Sequence, residues 1–481
     1  VVAGWACLAA WAWWGGLAWG QGAGEAGAAA AAGVADGPYA GEKVIRARVR
    51  SVRDMLALSA LEVDVWTHTV AVGGWIEARV DGRQLEALRG LGMEPRVVEE
   101  DLQARVEAGY AEIAALNRRD ETAFYENYRT ESEIRSRLEG LAGGDPAHAS
   151  VFVLGVSLEG REIWGVRLSA PDRLGNPRSR RPVVLFHATQ HAREWVAPMS
   201  AAYFVERSLS TRGTDAVVRD LFRRLEMVVV PVSNPDGYAY TWSGQRFWRK
   251  NMYRDGSGTL YGVDLNRNWG YEWGGVGSSA SPTSETYRGV AAFSEPESRV
   301  LRDFVLSEPR VAAHVDVHTY GQLILSPWCY TSAPPPDAAF FASAGAVIRA
   351  AMMAVNGLSF TAGQWYSALY PSSGTAVDWV YGDRGVKSWT FELRGGRFDP
   401  PASQILPGCT ETFAGLVEVA RTALRPVCEA DVNLDGVVDF NDLLAYLNLF
   451  NGQDPMADLD EDGVVDFNDL LAYLNLYNIG C

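Results

Sequence analysis

The chain has 481 residues, more than one growing hydrophobic core accommodates, which predicts two to four domains. Hydrophobic residues make up 48% and charged residues 21%, a balance that excludes global disorder. The formal charge of −16 is local: residues 429–481 hold twelve acids and no Lys or Arg, leaving about −4 for the rest, which excludes a broad basic surface for nucleic acid.

Residues 1–20 contain no charged side chain and are dense in Ala, Trp, Leu and Gly, so residues 1–23 read as a secretory signal cleaved near Gly20 or Ala23. The alternative is an uncleaved anchor, because 20 apolar residues reach the length of a membrane span. With the signal removed, no span is expected. Residues 24–40 are rich in Ala and Gly and read as a flexible linker.

From 41 to 108, β-rich runs (Val44–Val49, Val70–Val80) alternate with helix-like stretches (Val52–Leu61, Arg83–Arg89), which predicts a small α+β domain. Helical patterning continues from Asp101 to Arg119, so residues 109–121 form a connector whose Asn117-Arg118-Arg119-Asp120 end is open to a protease. Residues 122–425 interleave helical patterns with buried-type strands at Phe152–Gly155, Ile163–Leu168, Val183–His187, Met227–Val232, Ala312–Val317 and Trp389–Leu393. That alternation predicts an α/β sheet covered on both faces, with the site at the carboxyl ends of its strands.

Cys7 lies in the presumed signal; Cys329, Cys409, Cys428 and Cys481 permit three disulfide connectivities, of which a Cys428–Cys481 clasp is preferred because it brackets the acidic tail. No CxxC motif occurs.

The strand Val183–His187 turns through Ala188-Thr-Gln-His191-Ala-Arg-Glu194-Trp into a helical segment. His191 and Glu194 are three residues apart, a spacing that lets an imidazole and a carboxylate take one Zn²⁺ from the same side. Alone, such a pair is usually a surface contact. A third donor changes the reading: His318, in Val315-Asp-Val-His318-Thr-Tyr320, completes the His2Glu set of a hydrolytic zinc site. Four of the six histidines fall in two stretches, His187/His191 and His314/His318. In each, the second is the expected ligand and the first a hydrogen-bonded core residue within the apolar run. No HExxH is present.

Seven motifs in order across residues 122–425 resemble the carboxypeptidase A/B family of zinc carboxypeptidases, in its digestive-type branch with a prodomain. They are His191-Ala-Arg-Glu194-Trp, Asn234-Pro-Asp-Gly-Tyr, Trp248-Arg249-Lys250-Asn, Asp264-Leu-Asn266-Arg267-Asn-Trp, His318-Thr-Tyr320, Tyr370 through Asp378-Trp, and Thr390-Phe-Glu392-Leu-Arg. The resemblance implies a mixed, mainly parallel sheet with helices on both faces and one catalytic zinc on His191, Glu194 and His318. It further implies Glu392 as general base and Arg249 as the cation facing the oxyanion. Asp264 would orient His191. Asn266 and Arg267 would bind a free α-carboxylate, with Tyr370 capping it and Arg246 and Tyr320 serving outer subsites.

By the same resemblance, Val377 is the floor of the side-chain pocket, where members cutting after Lys or Arg carry an acid. An apolar floor leaves a buried cation unpaired, so apolar or aromatic C-terminal residues are expected. Cys329 and Trp365 also line the pocket, and Trp365 shrinks it toward mid-sized side chains. Residues 41–108 resemble the family's inhibitory prodomain in position and element order, which implies a zymogen opened near Arg118-Arg119; the alternative is a permanent accessory domain.

The tail, residues 428–481, repeats with a period of 27 residues. Asp431, Asn433, Asp435, Asp439 and Asp442, then Asp458, Asp460, Asp462, Asp466 and Asp469, fill positions 1, 3, 5, 9 and 12 of a calcium loop. Gly436 and Gly463 sit at the sharp turn. With Asp at position 12 and a duplicated Leu-Leu-Ala-Tyr-Leu-Asn-Leu helix, the tail resembles a type I dockerin. This implies a small all-α module holding two Ca²⁺ and docking on a cohesin; the alternative is a stability module without partner. The sequence as a whole predicts a secreted, monomeric carboxypeptidase acting on peptides with a free C-terminus. Alternatives are a peptidase for peptidoglycan stem peptides and a catalytically silent peptide-binding protein.

Overall fold

The computed structural model describes residues 37–67, 72–118, 123–171, 181–424, 430–432, 437–454, 457–459 and 464–479. The signal and most of the linker, Arg119, Cys428 and Cys481, and the calcium-loop positions Asn433, Asp435, Gly436, Asp460, Asp462 and Gly463 lie outside the described residues.

The N-terminal unit is an antiparallel sheet in the order β2-β3-β1-β4, formed by β1 (Lys43–Arg48), β2 (Asp64–Val65), β3 (Trp75–Val80) and β4 (Arg96–Glu99). Helices α1 (Val52–Ala60) and α2 (Gly82–Gly90) begin in capping boxes, Ser51 with Asp54 and Asp81 with Gln84, which satisfy amide donors the first helical turn leaves open. Leu58, Leu85 and Leu88 from these helices close over Ile45, Ala47, Ile76, Ala78 and Val80. The linker ends sooner than expected. Tyr39 is fully buried and its hydroxyl accepts from the Phe247 amide at 2.6 Å, so residues 37–40 belong to this packed unit. Helix α3 (Leu102–Asn117), within the helical stretch expected from Asp101 to Arg119, then leads to the main domain.

The main domain is built on an eight-stranded sheet. Its strands are β5 (Ala149–Val156), β6 (Glu162–Leu168), β7 (Val183–Ala188), β8 (Glu226–Val230), β9 (Val311–Thr319), β10 (Leu323–Ser326), β11 (Thr361–Gln364) and β12 (Lys387–Leu393). Their order is β11-β10-β12-β9-β7-β8-β6-β5. The centre, β12-β9-β7-β8, is parallel, and antiparallel pairs flank it. Alternation along the central strands feeds two cores. Val184 and Phe186 face one side with α4 (Glu131–Gly144), α5 (Val196–Thr211), α6 (Ala216–Arg224), α9 (Ala338–Asn356) and α12 (Ile405–Thr422); Val183 and Leu185 face the other with α8 (Pro296–Ser307) and α11 (Ala376–Gly382). The short helices α7 (Pro235–Ser243) and α10 (Trp365–Ala368) lie in connections. By length and composition α9 could cross a membrane, yet Phe341, Ile348 and Met352 bury it against the first core.

Two strands escape the sequence pattern. Strands β10 and β11 have four residues each, too few to show a period, and pairing with β12 and with each other is what makes them strands. Cys329 and Cys409 are free thiols buried in separate clusters, so the expected pairings that engage either of them do not form. Helices α13 (Phe440–Asn451) and α14 (Phe467–Ile479) form the tail. Tyr446 and Tyr473, one repeat apart, stack at 3.9 Å, and each hydroxyl donates across to the other repeat, at Ala457 and Ala430.

Candidate active site

Parallel register gathers the chemistry. Strand β9 pairs with β12 so that His318 sits opposite Glu392, and with β7 so that His187 sits opposite Asp316. Three adjacent strands thus end together. Beyond β7 the chain turns sharply through Thr189, whose φ of 67° is a left-handed value that a β-branched side chain strongly disfavours. Its hydroxyl donates to the Pro231 carbonyl, which fixes the turn and aims the next residues back over the strand ends.

There His191, Glu194 and His318 converge, all buried. His191 Nδ1 is 2.8 Å from Glu194 Oε1 and 3.0 Å from His318 Nδ1, and His318 Nδ1 is 2.9 Å from Glu194 Oε2. These three form the group of metal-capable donors among the described residues. The outward nitrogens are engaged too: His191 Nε2 lies 3.1 Å from Asp264 Oδ1, and His318 Nε2 lies 2.7 Å from Asp316 Oδ2. With each Nε2 turned to a carboxylate, both Nδ1 atoms point their lone pairs at one spot beside a carboxylate oxygen, the donor set and tautomer that suit Zn²⁺.

Asp316 is a residue that sequence reasoning missed. Its carboxylate also accepts from Gln190 Nε2 at 2.5 Å, and Gln190 in turn accepts from the Trp269 indole. Its only signal was alternation: two residues before His318 on one strand means the same face. His187 and His314, the expected core pair, touch through their Nε2 atoms at 2.9 Å, with His314 Nδ1 at 2.7 Å from Ser388 Oγ.

Asp264 is a hub, accepting from Arg249 Nη2 at 2.9 Å and from the Asn266 amide at 3.0 Å besides facing His191. Asn266 Nδ2 lies 3.3 Å from His318 Nε2, and its Oδ1 accepts from the Ala376 amide. Arg267 is fully buried, and its Nη2 donates to the Tyr370 hydroxyl at 3.3 Å. Gly374, at φ 67°, passes directly over Arg267; a Cβ there would come 2.5 Å from the Arg267 carbonyl oxygen, so only glycine fits. Val377 is fully buried in an apolar cluster with Leu325, Cys329, Trp365 and Leu369. The neighbouring Asp378 is fully buried, with both carboxylate oxygens 3.0 Å from the Cys329 amide.

Charge balance separates the buried acids. Burial raises the proton affinity of Glu194, but His191 and His318 outweigh it and hold the carboxyl below its usual range. Asp316 follows the same pattern, brought down to about 2 by His318 and His187 against burial. Glu392 goes the other way: burial and the charge of Glu194 exceed the pull of His318 and Arg249, so it rises well above an ordinary carboxylate. Burial also lifts Asp378 to about 7.

Residues 134–415 match the model of the zinc carboxypeptidases, and the chain is 32% identical to human carboxypeptidase A1 over 404 residues, 80% of this chain and 95% of that one. The chain belongs to the zinc carboxypeptidase family. It is also 32% identical to bovine carboxypeptidase B over 406 residues, 80% of this chain and 94% of that one. The solved carboxypeptidase A of Helicoverpa armigera superposes with a TM-score of 0.74 at 28% identity, covering 81% of this chain and 98% of that one. This is therefore a metallocarboxypeptidase of the A/B type, an enzyme that hydrolyses C-terminal peptide bonds.

In this carboxypeptidase the N-terminal unit lies against the rim of the site. Asp64 accepts from Arg193 at 3.0 and 3.1 Å, and the Tyr320 hydroxyl donates to the Trp66 carbonyl at 3.2 Å. Tyr39, Trp66, Phe247, Tyr320 and Phe398 share one apolar cluster across the boundary. Arg246, expected at an outer subsite, is buried beneath this contact, donating to the Arg193 and Phe398 carbonyls with its guanidinium 3.6 Å from the Trp195 ring centre. Arg193 is a second residue to which the sequence assigned no role.

In the tail, Asp439 and Asp466 begin the two helices. Asp442 Oδ2 accepts from the Asp439 amide and Asp469 Oδ2 from the Asp466 amide, the same cap in both repeats. Asp431 and Asp458 flank these positions among the described residues.

Proposed function

We propose that His191, Glu194 and His318 hold the catalytic zinc and that the carboxypeptidase removes single apolar residues from free peptide C-termini. The observation that carries this is the convergence of three donors at the ends of neighbouring strands, opposite Glu392 in register. The chemistry such an ion supplies is Lewis acidity toward the scissile carbonyl and a lowered pKa for water. Glu392 takes the proton of the attacking water and hands it to the leaving amine, from its place opposite His318 in the strand register. Arg249, kept cationic and fixed by Asp264, faces the developing oxyanion. Asp264 and Asp316 hold the two ligand imidazoles in orientation.

Arg267 pairs with the substrate α-carboxylate, aided by Asn266, and Tyr370 closes over it from the distance its contact with Arg267 already spans. Val377 places an apolar side chain at the pocket floor, and the buried Asp378 beside it is already engaged by the Cys329 amide, an arrangement that disfavours a basic side chain. Arg246 and Tyr320 serve outer subsites once the N-terminal unit has left. That unit acts as a prodomain, because the contacts of Asp64, Trp66 and Tyr39 occupy the rim where the preceding residues of a peptide would run. Arg118, exposed at the end of α3, marks the region to be cut.

Residues 1–23 direct secretion. The tail binds two Ca²⁺ through Asp431, Asn433, Asp435, Asp439, Asp442, Asp458, Asp460, Asp462, Asp466 and Asp469, and as a dockerin-like module attaches the enzyme to a cohesin-type partner. Its twelve acids without a basic residue support a cation requirement. The test is release of free amino acids from N-blocked dipeptides by the chain after limited trypsin treatment. Activity lost to a zinc chelator and to Glu392→Gln is expected; equal turnover by that variant and the parent removes Glu392 as the base.

A further inference from the structure

The apolar cluster beside Tyr370 is closely packed. Val377 and Cys329 have no exposed surface, Leu325 none, Trp365 2% and Leu369 5%. A C-terminal aromatic side chain needs roughly 150–250 Å² of contact surface to bury itself. Walls with so little open surface receive a small aliphatic group with minor adjustment and a ring only if a wall moves. Trp365, which opens α10, is the largest wall.

The same indole is tied to the substrate-capping segment. Trp365 Nε1 donates to the Tyr370 carbonyl at 3.0 Å, while the phenol end of Tyr370 accepts from Arg267 Nη2. Tyr370 is thus held at both ends, its backbone by Trp365 and its hydroxyl by Arg267. A displaced Trp365 must release that carbonyl, and the tyrosine loses its backbone anchor at the moment it is needed over the substrate carboxylate.

We propose that Trp365 sets both the depth of the pocket and the position of Tyr370, making the carboxypeptidase selective for C-terminal aliphatic residues of leucine size or smaller over aromatic ones. This rests on the reading of Arg267, Tyr370 and Val377 given above. Leucine, valine or alanine fills the space with the Trp365–Tyr370 bond intact. Phenylalanine, tyrosine or tryptophan pushes the indole aside and loses the closure, so the penalty falls on turnover as well as on binding. Trp365 acts here as a specificity and positioning residue and takes no part in proton transfer.

The experiment compares N-blocked dipeptides ending in Ala, Val, Leu, Phe or Trp, using the zinc-loaded full chain before and after limited trypsin treatment. The wild-type kcat/KM for the Leu substrate should exceed that for Phe by about tenfold or more. Trp365→Leu should erase or reverse that ratio by opening the wall. Trp365→Phe keeps most of the bulk and removes the N–H; it should retain the Leu preference while raising KM for every substrate, with its thermal transition close to wild type. Should Trp365→Leu fail to fold, the wild-type ratio and the Trp365→Phe KM shift still decide. Phe released as fast as Leu by the wild type, or an unchanged KM in Trp365→Phe, overturns this inference alone. Release of no amino acid from any substrate overturns the assigned site itself, and the inference with it.

Discussion

Two imidazole pairs link β9 to β7 and to the turn that follows β7, four residues apart along each segment, and they have opposite fates. His187 and His314 meet inside the sheet, where burial depresses the proton affinity of both and Ser388 supplies a neutral partner. His191 and His318 meet at the strand ends, where Glu194, Asp264 and Asp316 surround them. The same residue type at the same spacing is a core contact in one place and a metal-capable site in the other. What differs is the number of carboxylates within reach and whether the backbone has left the strand. Asp316 joins the two pairs, lying 2.7 Å from His318 Nε2 and 3.4 Å from His187 Nδ1.

That contrast can be broken by substitution. Glu392→Gln at the site end should lower kcat by about a thousandfold while zinc stays bound, read by turnover and metal analysis of the same sample. Loss of zinc together with activity would make Glu392 a structural part of the metal site. Asp316→Asn should weaken zinc by about 10- to 100-fold in competition with a chelator, since His318 loses the acceptor that fixes its ring. An unchanged affinity would leave Asp316 as a core residue only.

In the strand interior, His314→Gln should cost about 1–3 kcal/mol of stability in urea unfolding, the penalty for a disturbed buried polar contact, with zinc content unaltered. The smallest effect concerns the N-terminal unit. Burial raises the Asp64 carboxyl, but Arg193 and Arg79 outweigh it and hold it below its usual value. A depressed folded pKa means that its contribution is complete above about pH 4 and is lost as pH falls through the lower folded value. Hydrogen exchange at the Trp66 amide, corrected for intrinsic rate, should therefore be constant from neutral pH to about pH 5 and quicken only in stronger acid. Asp64→Asn should show the quickened rate throughout; a flat, slow profile in both proteins would detach the ion pair from the hold on the N-terminal unit.

Much of this was legible in residue order. The donors His191, Glu194 and His318 follow apolar strand runs, and the position of His187 and His314 within those runs marked them as the core histidine of each pair. Asp64, Arg193 and Asp316 were not legible, because their partners are distant in sequence: Asp64 reaches Arg193 across 129 positions and Gln190 reaches Asp316 across 126. Strands β10 and β11 were hidden by brevity. The burial of Tyr39 was hidden by its Ala- and Gly-rich surroundings, which say nothing of the aromatic cluster waiting at Phe247 and Trp66. The narrow pocket was half legible, since Trp365 stood out as large, but its bond to Tyr370 required the fold.

The most direct test is zinc stoichiometry in three purified proteins: wild type, His318→Ala and His314→Gln. The account predicts one zinc per chain in wild type and in His314→Gln, and none in His318→Ala. Zinc retained by His318→Ala, or lost from His314→Gln while that protein remains folded, would contradict it.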